Sequence, residues 1–441
     1  MEFNKRRFSF DTLDDLNNEI NKFNLAASEN VIELTSPIKL GDFTLANRIV
    51  ALPMEGVDAV NGAPTKLTRD KYINVARGGY GLIWLEATSV NREGMSNDNQ
   101  LFINGDNYHE FKKLNEDIKK ASKQSLYKRE AYTVLQLNHS GRYSNHNKKE
   151  NAQIATHRRL LDEKRGIESD RKLVTDAYLD KLKNDYLNAA KLAKKCGFNA
   201  VDIKSCHGYL LSELLSASDR SGNYGGSFSN RSRFLLETID MIKSNSECQD
   251  LDIAVRLNMA DLTENGFSTT ENLEYDLEET EKLINLLRDH GVKLISLTLG
   301  NPYYIPYVNK PSDLKKDEDI EDPFTSSYRI FEMSRKLQRK FPEIFFVGVG
   351  YTFFRQFAAN VAENEIKNND IKLAGFGREV LAYPDLANDI LTNACLDKDK
   401  VCITCGLCSK LKANFLPAGC VVRNKEMYGK YLKELDKWVI K

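Results

Sequence analysis

The sequence predicts an α/β fold: a (β/α)8 barrel with an N-terminal hairpin and a C-terminal cysteine-rich extension. Three observations predict it. Eight short apolar stretches read as buried strands, at residues 49–54, 81–88, 131–139, 199–205, 251–258, 294–300, 345–350 and 373–378. Most are followed by a segment able to form a helix, and repeated strand–helix alternation makes a parallel sheet. Nearly every stretch ends in a polar residue or glycine, among them Glu55, Glu86, Gln136, Lys204, Arg256, Gly300, Gly350 and Gly377-Arg378. Eight such units close into a barrel whose reactive groups sit at the C-terminal strand ends.

The elements follow in chain order. Residues 1–30 form a polar N-terminal extension with a weak helical period at Phe10, Leu13, Leu16, Ile20 and Phe23. Residues 32–43 alternate around a Gly41-Asp42 turn, the pattern of a hairpin that would plug the barrel floor. Within the barrel, residues 31–394, Thr175 caps a helix that runs to Cys196 and ends at Gly197. A helix over 277–290 ends at Gly291, and one over 327–341 stops before Pro342. Residues 141–172 break the rhythm and are dense in Lys, Arg, Asn and Asp. They read equally as a lid over the barrel mouth or as a solvated insertion. The tail, residues 395–441, ends in a helix over 425–438.

Composition sets outer bounds. The 441 residues accommodate one barrel with additions. The 63 basic and 63 acidic side chains cancel, which favours neither nucleic acid nor a membrane surface as partner. Residues 1–10 are charged and lack the apolar core of a signal peptide. No apolar run reaches the roughly 18 residues of a membrane span. The expectation is a soluble, cytoplasmic protein.

The strand ends carry the chemistry. The seventh strand ends Val347-Gly-Val-Gly350 and the eighth Gly375-Phe-Gly-Arg378. Paired glycines admit backbone N–H groups to an anion, and arginine adds charge, so these ends read as a phosphate site rather than plain tight turns. Gln136 and Arg256 stand at the mouth of otherwise apolar strands. A buried arginine needs an anionic partner: an internal carboxylate such as Glu86 or Asp202, or a cofactor ring that becomes anionic on reduction. Lys204, His207 and Tyr209 share one turn beyond the fourth strand, where three donors converge on a substrate oxygen and Tyr209 can supply a proton.

Together these residues resemble the old yellow enzyme family of FMN-dependent oxidoreductases. The resemblance spans about residues 33–391. It is carried by Ala46-Asn-Arg-Ile, by Gln136 to Arg142, by His207-Gly-Tyr-Leu-Leu, by Asn223-Tyr-Gly-Gly-Ser-Phe-Ser-Asn-Arg231, by Gly375-Phe-Gly-Arg378 and by Tyr383-Pro-Asp-Leu-Ala. It implies a TIM barrel with FMN at its mouth and NAD(P)H as reductant. By position, Pro53 and Met54 would line the flavin with Ala87 beside it, and Gln136 would bind its pyrimidine edge. Arg256 would face its N1/O2 side, and Gly350, Gly377 and Arg378 would hold its phosphate. The implied reaction passes hydride from flavin N5 to an electron-poor alkene, with Tyr209 as the proton donor. Two departures stand out. Lys204 replaces the usual neutral donor three residues before His207, and Glu55 replaces a Thr or Cys beside the flavin. Lys204 either pairs with a substrate carboxylate or is neutralised by Asp202 or Glu55.

Of the eight cysteines, Cys196, Cys206, Cys248 and Cys395 are scattered. Cys402, Cys405, Cys408 and Cys420 are spaced C-x2-C-x2-C-x11-C. That compact run suits a [4Fe–4S] cluster better than zinc or free thiols. The resemblance is nearest to the 2,4-dienoyl-CoA reductase and trimethylamine dehydrogenase type, whose members carry such a tail before further nucleotide-binding domains. The function expected is reduction of an enoate or enone. The alternatives are a flavin/iron–sulfur dehydrogenase feeding an electron-transfer protein, and a non-catalytic flavin redox carrier. A small-molecule substrate and assembly into a homo-oligomer complete the expected partners.

Overall fold

The computed structural model describes residues 8–145, 152–312 and 321–439. Positions 1–7 of the N-terminal extension and 146–151 of the insertion lie outside the described residues. A hairpin of β1 (Ile38–Leu40) and β2 (Phe43–Leu45) precedes the barrel. The barrel strands are β3 (Ile49–Ala51), β4 (Leu82–Ser89), β5 (Tyr132–Asn138), β6 (Ala200–Ile203), β7 (Asp252–Asn258), β8 (Leu294–Thr298), β9 (Phe345–Gly348) and β10 (Leu373–Phe376). They are all parallel and pair in sequence order, and β10 returns to β3 with Ala374 opposite Ile49. All eight predicted strands are present. They read as unbroken apolar runs because helices cover the outside and side chains fill the inside; every residue of β4 and β5 is buried.

Local signals place several helices. The Thr175 hydroxyl accepts the Tyr178 N–H at 3.1 Å and starts the helix Asp176–Lys195, which buries Leu179, Leu182, Tyr186, Ala189, Ala190 and Ala193. The helix Glu278–Asp289 also lies within its expected span. The helix Pro323–Lys340 starts four residues before the predicted 327. Asp322 caps it by accepting the Phe324 N–H at 2.8 Å, and Pro323 fits its first turn.

Two expectations are corrected. The hairpin does not begin at residue 32, because Ile32–Thr35 is a helical turn. Its N–H groups at Glu33 and Leu34 are held by the Glu363 carboxylate, at 3.0 and 2.7 Å, a partner distant in sequence. The hairpin itself caps the barrel floor, with Phe43 edge-on to Tyr132 at 5.2 Å. The described part of the 141–172 insertion is packed at residues 141–145 and 152–162 and largely exposed at 163–172, so only that last stretch is solvated. Arg142 is fully buried, pairs with Asp162 and Glu213, and donates to the Thr156 carbonyl at 2.8 Å. Arg158 pairs with Asp219 at 3.0 Å and donates to the Ser216 carbonyl. The charges fasten the segment to the helix Leu210–Ser216.

The tail lies across the barrel mouth. Its small core of Leu411, Val421, Tyr428 and Leu435 packs against Leu67 of the helix Lys66–Arg77. The Ala418 N–H donates to the Gly56 carbonyl at 2.7 Å, tying the tail to the loop after β3. Among the described residues no helix is long and apolar enough to cross a membrane.

Candidate active site

One cavity of about 610 Å³ opens at the C-terminal strand ends. It brings together every site residue predicted on the barrel: Pro53, Met54 and Glu55 after β3, Ala87 on β4, Gln136 on β5, and Arg256 on β7. Lys204, His207 and Tyr209 line it from the segment after β6, and Gly350, Gly377 and Arg378 from the ends of β9 and β10. Of the four tail cysteines, only Cys408 reaches it.

The floor of the site is a hydrogen-bonded core around Asp202. This carboxylate accepts from Gln136 Nε2 at 2.6 Å, Trp84 Nε1 at 2.9 Å and the Arg256 backbone N–H at 2.6 Å. Burial nevertheless pushes its pKa up to about 6. Asp202 thus orients Gln136 and does not neutralise Lys204. Nor does Glu86 neutralise Arg256: Glu86 is engaged by Lys71 and the Gly56 N–H. Arg256 is 8 % exposed, and its buried Nε has no hydrogen-bond partner among the described residues. A guanidinium in that state is a standing acceptor site for an anion.

The donors after β6 carry different charges. His207 adopts φ 66°, a left-handed backbone that turns the chain sharply at the strand end. Its Nε2 lies 3.2 Å from Thr298 Oγ1. Burial, with Arg256 and Lys204 nearby, pushes its pKa well below the usual histidine range, so it is neutral. Lys204 Nζ lies over the Tyr209 ring at 3.7 Å from the centroid. Burial lowers its pKa to about 8, with Lys412 and Arg256 adding repulsion. It is mainly a cation at neutral pH. Tyr209 is 2 % exposed and its hydroxyl lies 2.6 Å from that of Tyr303. Burial, the Tyr303 hydroxyl and Glu55 push the Tyr209 pKa well above the ordinary phenol value, so it holds its proton.

Lys412, Tyr303 and Tyr143 are among the lining residues that escaped the sequence reading. Lys412, from the tail helix Leu407–Ala413, forms an ion pair with Glu55. Glu55 also accepts from Ser96 Oγ at 3.0 Å. Burial works against the Glu55 charge, but Lys412 and Lys204 outweigh it and hold the pKa low. Glu55 is therefore committed to Lys412 rather than Lys204. Tyr303 stacks on Tyr143 with centroids 4.1 Å apart, and both are anchored by Asn301. The aromatic run Tyr303-Tyr304-Ile305-Pro306-Tyr307 after β8 is a signal that could have drawn attention to Tyr303. Lys412 carries no local signal beyond its place one helical turn after Cys408.

At the ends of β9 and β10 the chain has little room for side chains. Gly350 adopts φ 105°, which requires glycine. A Cβ on Gly375 would meet Leu52 at 2.8 Å and Val347 at 2.9 Å. Arg378 beside them donates to the Pro311 carbonyl at 3.4 Å, its one hydrogen bond among the described residues.

Next to this cavity is a much smaller one lined by Cys402, Cys405, Cys408 and Cys420, with Arg378 and Leu381 in the wall shared by both. The Thr404 and Arg423 N–H groups point at the Cys402 and Cys420 sulfurs, at 3.4 and 3.3 Å. The buried Glu379 accepts the Cys402 N–H at 3.0 Å. Among the described residues no group of three or more His, Cys, Asp or Glu is arranged to hold a single metal ion.

Comparison with known proteins places the chain in a family. The chain is 31% identical over 275 residues to an NADPH dehydrogenase of Bacillus subtilis (strain 168), covering 61% of this chain and 73% of that protein. It is 28% identical over 282 residues to an NADH:flavin oxidoreductase of Gibberella zeae, covering 60% and 66%. In fold it is similar to a 2-naphthoyl-CoA reductase solved with 2-naphthoyl-CoA, with a TM-score of 0.70 and 19% identity over 88% of this chain; the chain spans 56% of that one. It is also similar to an old yellow enzyme homologue from Zymomonas mobilis, with a TM-score of 0.61 and 21% identity, covering 83% and 94%. Residues 33–396 match the NADH:flavin oxidoreductase / NADH oxidase family, and the four clustered cysteines lie beyond that match. The chain belongs to this family, the old yellow enzymes, and is an FMN-dependent NAD(P)H oxidoreductase.

Proposed function

We propose that the enzyme reduces an activated carbon–carbon double bond in an enoate or enone, with Tyr209 protonating the α-carbon. Bound FMN would supply the redox chemistry, taking hydride from NAD(P)H and delivering it to the β-carbon. The residues present fit that cofactor. Pro53, Met54 and Ala87 would line the ring, with Glu55 and its Lys412 partner at the edge of its pocket. Gln136, oriented by Asp202, would meet the pyrimidine edge. Arg256, with its unpartnered Nε, would take the N1/O2 side, where negative charge collects on reduction. Gly350, Gly377 and Arg378 would hold the phosphate.

The observation that carries the reading is the convergence of a neutral His207, a cationic Lys204 and a protonated Tyr209 on one cavity. His207 would hydrogen-bond the activating carbonyl. Lys204, without a carboxylate partner of its own, would pair with a substrate carboxylate. Tyr209 would sit ready with a proton. A redox carrier without a substrate has no use for these three groups together. Anaerobic titration of the reduced protein with crotonate and with 2-cyclohexenone, followed by flavin absorbance, tests this. Reoxidation by crotonate supports the enoate assignment. Reoxidation by cyclohexenone alone removes the carboxylate role of Lys204, and reoxidation by neither removes the alkene reading.

A second reading rests on the tail. Four cysteines around one small cavity, with backbone N–H groups aimed at two of the sulfurs, fit a [4Fe–4S] cluster. With a cluster beside Arg378, electrons could leave for a partner protein, and the enzyme would then work as a dehydrogenase. Iron and sulfide analysis of anaerobically purified protein, before and after Cys405→Ser, tests it. Protein that is iron-free when purified without oxygen sinks the cluster.

A further inference from the structure

We propose that Tyr303 and Lys412 form a proton-return path to Tyr209, which makes Lys412, a residue of the tail, a positioning residue of the barrel's active site. The proposal rests on Tyr209 acting as the proton donor. Three contacts build the path. Lys412 Nζ lies 3.1 Å from the Tyr303 hydroxyl, the Tyr303 hydroxyl lies 2.6 Å from the Tyr209 hydroxyl, and Lys412 is anchored at its other side by Glu55. An ammonium only donates. With Lys412 donating to Tyr303 and Tyr303 donating to Tyr209, the Tyr209 proton is left free for the cavity.

The path also has an entrance. Tyr209 is buried, whereas the Lys412 side chain is 31% exposed. The other donors near Tyr209 are poor sources of a proton. His207 is neutral and its Nε2 is engaged with Thr298, and Lys204 meets Tyr209 through the ring face rather than the hydroxyl.

The steps balance. The Tyr209 O–H bond breaks as the α-carbon gains its C–H bond. The Tyr303 proton moves to the Tyr209 oxygen, and a Lys412 proton moves to Tyr303. The amine left on Lys412 takes a proton from water. Before the relay runs, the phenolate charge faces two ammonium groups, Lys204 at the Tyr209 ring and Lys412 beyond Tyr303. The helix that carries Lys412 also carries Cys408 one turn earlier, so the docking of the tail decides whether the path exists.

The test separates half-reactions by stopped-flow absorbance, using NADH as reductant and crotonate or 2-cyclohexenone as oxidant. Tyr303→Phe and Lys412→Arg are expected to slow oxidation by the acceptor far more than flavin reduction by NADH. Multiple-turnover oxidation is expected to slow roughly 10- to 100-fold, with a larger solvent deuterium isotope effect. Lys412→Arg is the decisive variant: it keeps the cation and the Glu55 pair, which already raises the Lys412 pKa, but a guanidinium gives up a proton far less readily still. The Tyr209→Phe/Tyr303→Phe double variant should be no slower than Tyr209→Phe alone. Parent-like turnover in Lys412→Arg, or losses that multiply in the double variant, overturns the path while leaving Tyr209 as the acid. A Tyr209→Phe protein that is oxidised as fast as the parent, or a parent that neither acceptor oxidises, overturns the underlying reading as well.

Discussion

Two buried lysines stand at the mouth of this barrel, Lys71 on the β4 side and Lys204 on the β6 side, and their surroundings are opposite. Lys71 pairs with Glu86 and lies 3.9 Å from Asp58. Glu86 is further held by the Gly56 N–H and by the Tyr72 hydroxyl. Burial alone would discharge Lys71, but the two carboxylates outweigh it and its pKa is raised well above the ordinary value. Lys204 is as deeply placed, yet among the described residues it makes no ion pair. Burial, Lys412 and Arg256 leave its pKa at about 8. Two carboxylates for one lysine make a satisfied network that holds the loop after β3. With Glu55 in Lys204's field but paired to Lys412, and no ion pair on Lys204 or the Arg256 side chain among the described residues, the pocket keeps cationic charge for an anion.

That contrast can be broken most sharply at Lys71. Lys71→Met strands Glu86 and Asp58 without a cation, and it is expected to cost about 3–5 kcal/mol of stability, measured by denaturant unfolding. Tyr72→Phe is the milder change in the same network. It removes the acceptor of the Glu86 N–H, a 2.7 Å bond, and should cost about 1–3 kcal/mol by the same measurement.

On the β6 side the order reverses, and function is expected to suffer before stability. Arg256→Met removes an unsatisfied charge, so the apoprotein should unfold no earlier than the parent. FMN affinity should fall roughly 10- to 100-fold, the equivalent of one charge-assisted hydrogen bond, read by fluorescence titration of the apoprotein. An apoprotein that instead unfolds much earlier would place Arg256 with Lys71 as a structural charge.

Lys204 gives the subtlest effect and a pH signature. It is charged below about pH 8, so crotonate affinity should be steady there and weaken as the pH rises through that value. Lys204→Met should bind crotonate more weakly at pH 7 and lose the pH dependence, while cyclohexenone binding changes little. Stability carries the opposite sign. Between about pH 8 and the ordinary lysine value of 10.5, the unfolded chain still holds the proton that the folded chain has released. Folding stability should therefore rise with pH across that window, and Lys204→Met should flatten the rise.

Much of the fold was legible because its signals are local. The barrel strands announce themselves as apolar runs closed by a polar or glycine residue, and Thr175 caps its helix three residues away. The ring of site residues was legible for the same reason, since barrel topology sends every strand end to one face. The helical turn at Ile32–Thr35 was not, because Glu363 imposes it from far along the chain. No local signal gave Arg142 or Arg158 a partner, and only the packed structure reveals the carboxylates that bury them.

By itself, then, the sequence marked the eight-unit barrel, the polar and glycine residues at its strand ends and the cysteine spacing of the tail, while the family resemblance added Pro53, Met54 and Ala87. The sequence's own marks depend on periodicity, on strand direction or on residues a few positions apart. Tertiary structure alone decided the pairings: Glu55 with Lys412, Tyr209 with Tyr303, Asp202 with Gln136 rather than Lys204. The Coulomb and hydrogen-bond terms that select such partners act over a few ångströms of space. They leave no period in the chain, so a tail lysine in the active site becomes visible only once the tail has docked.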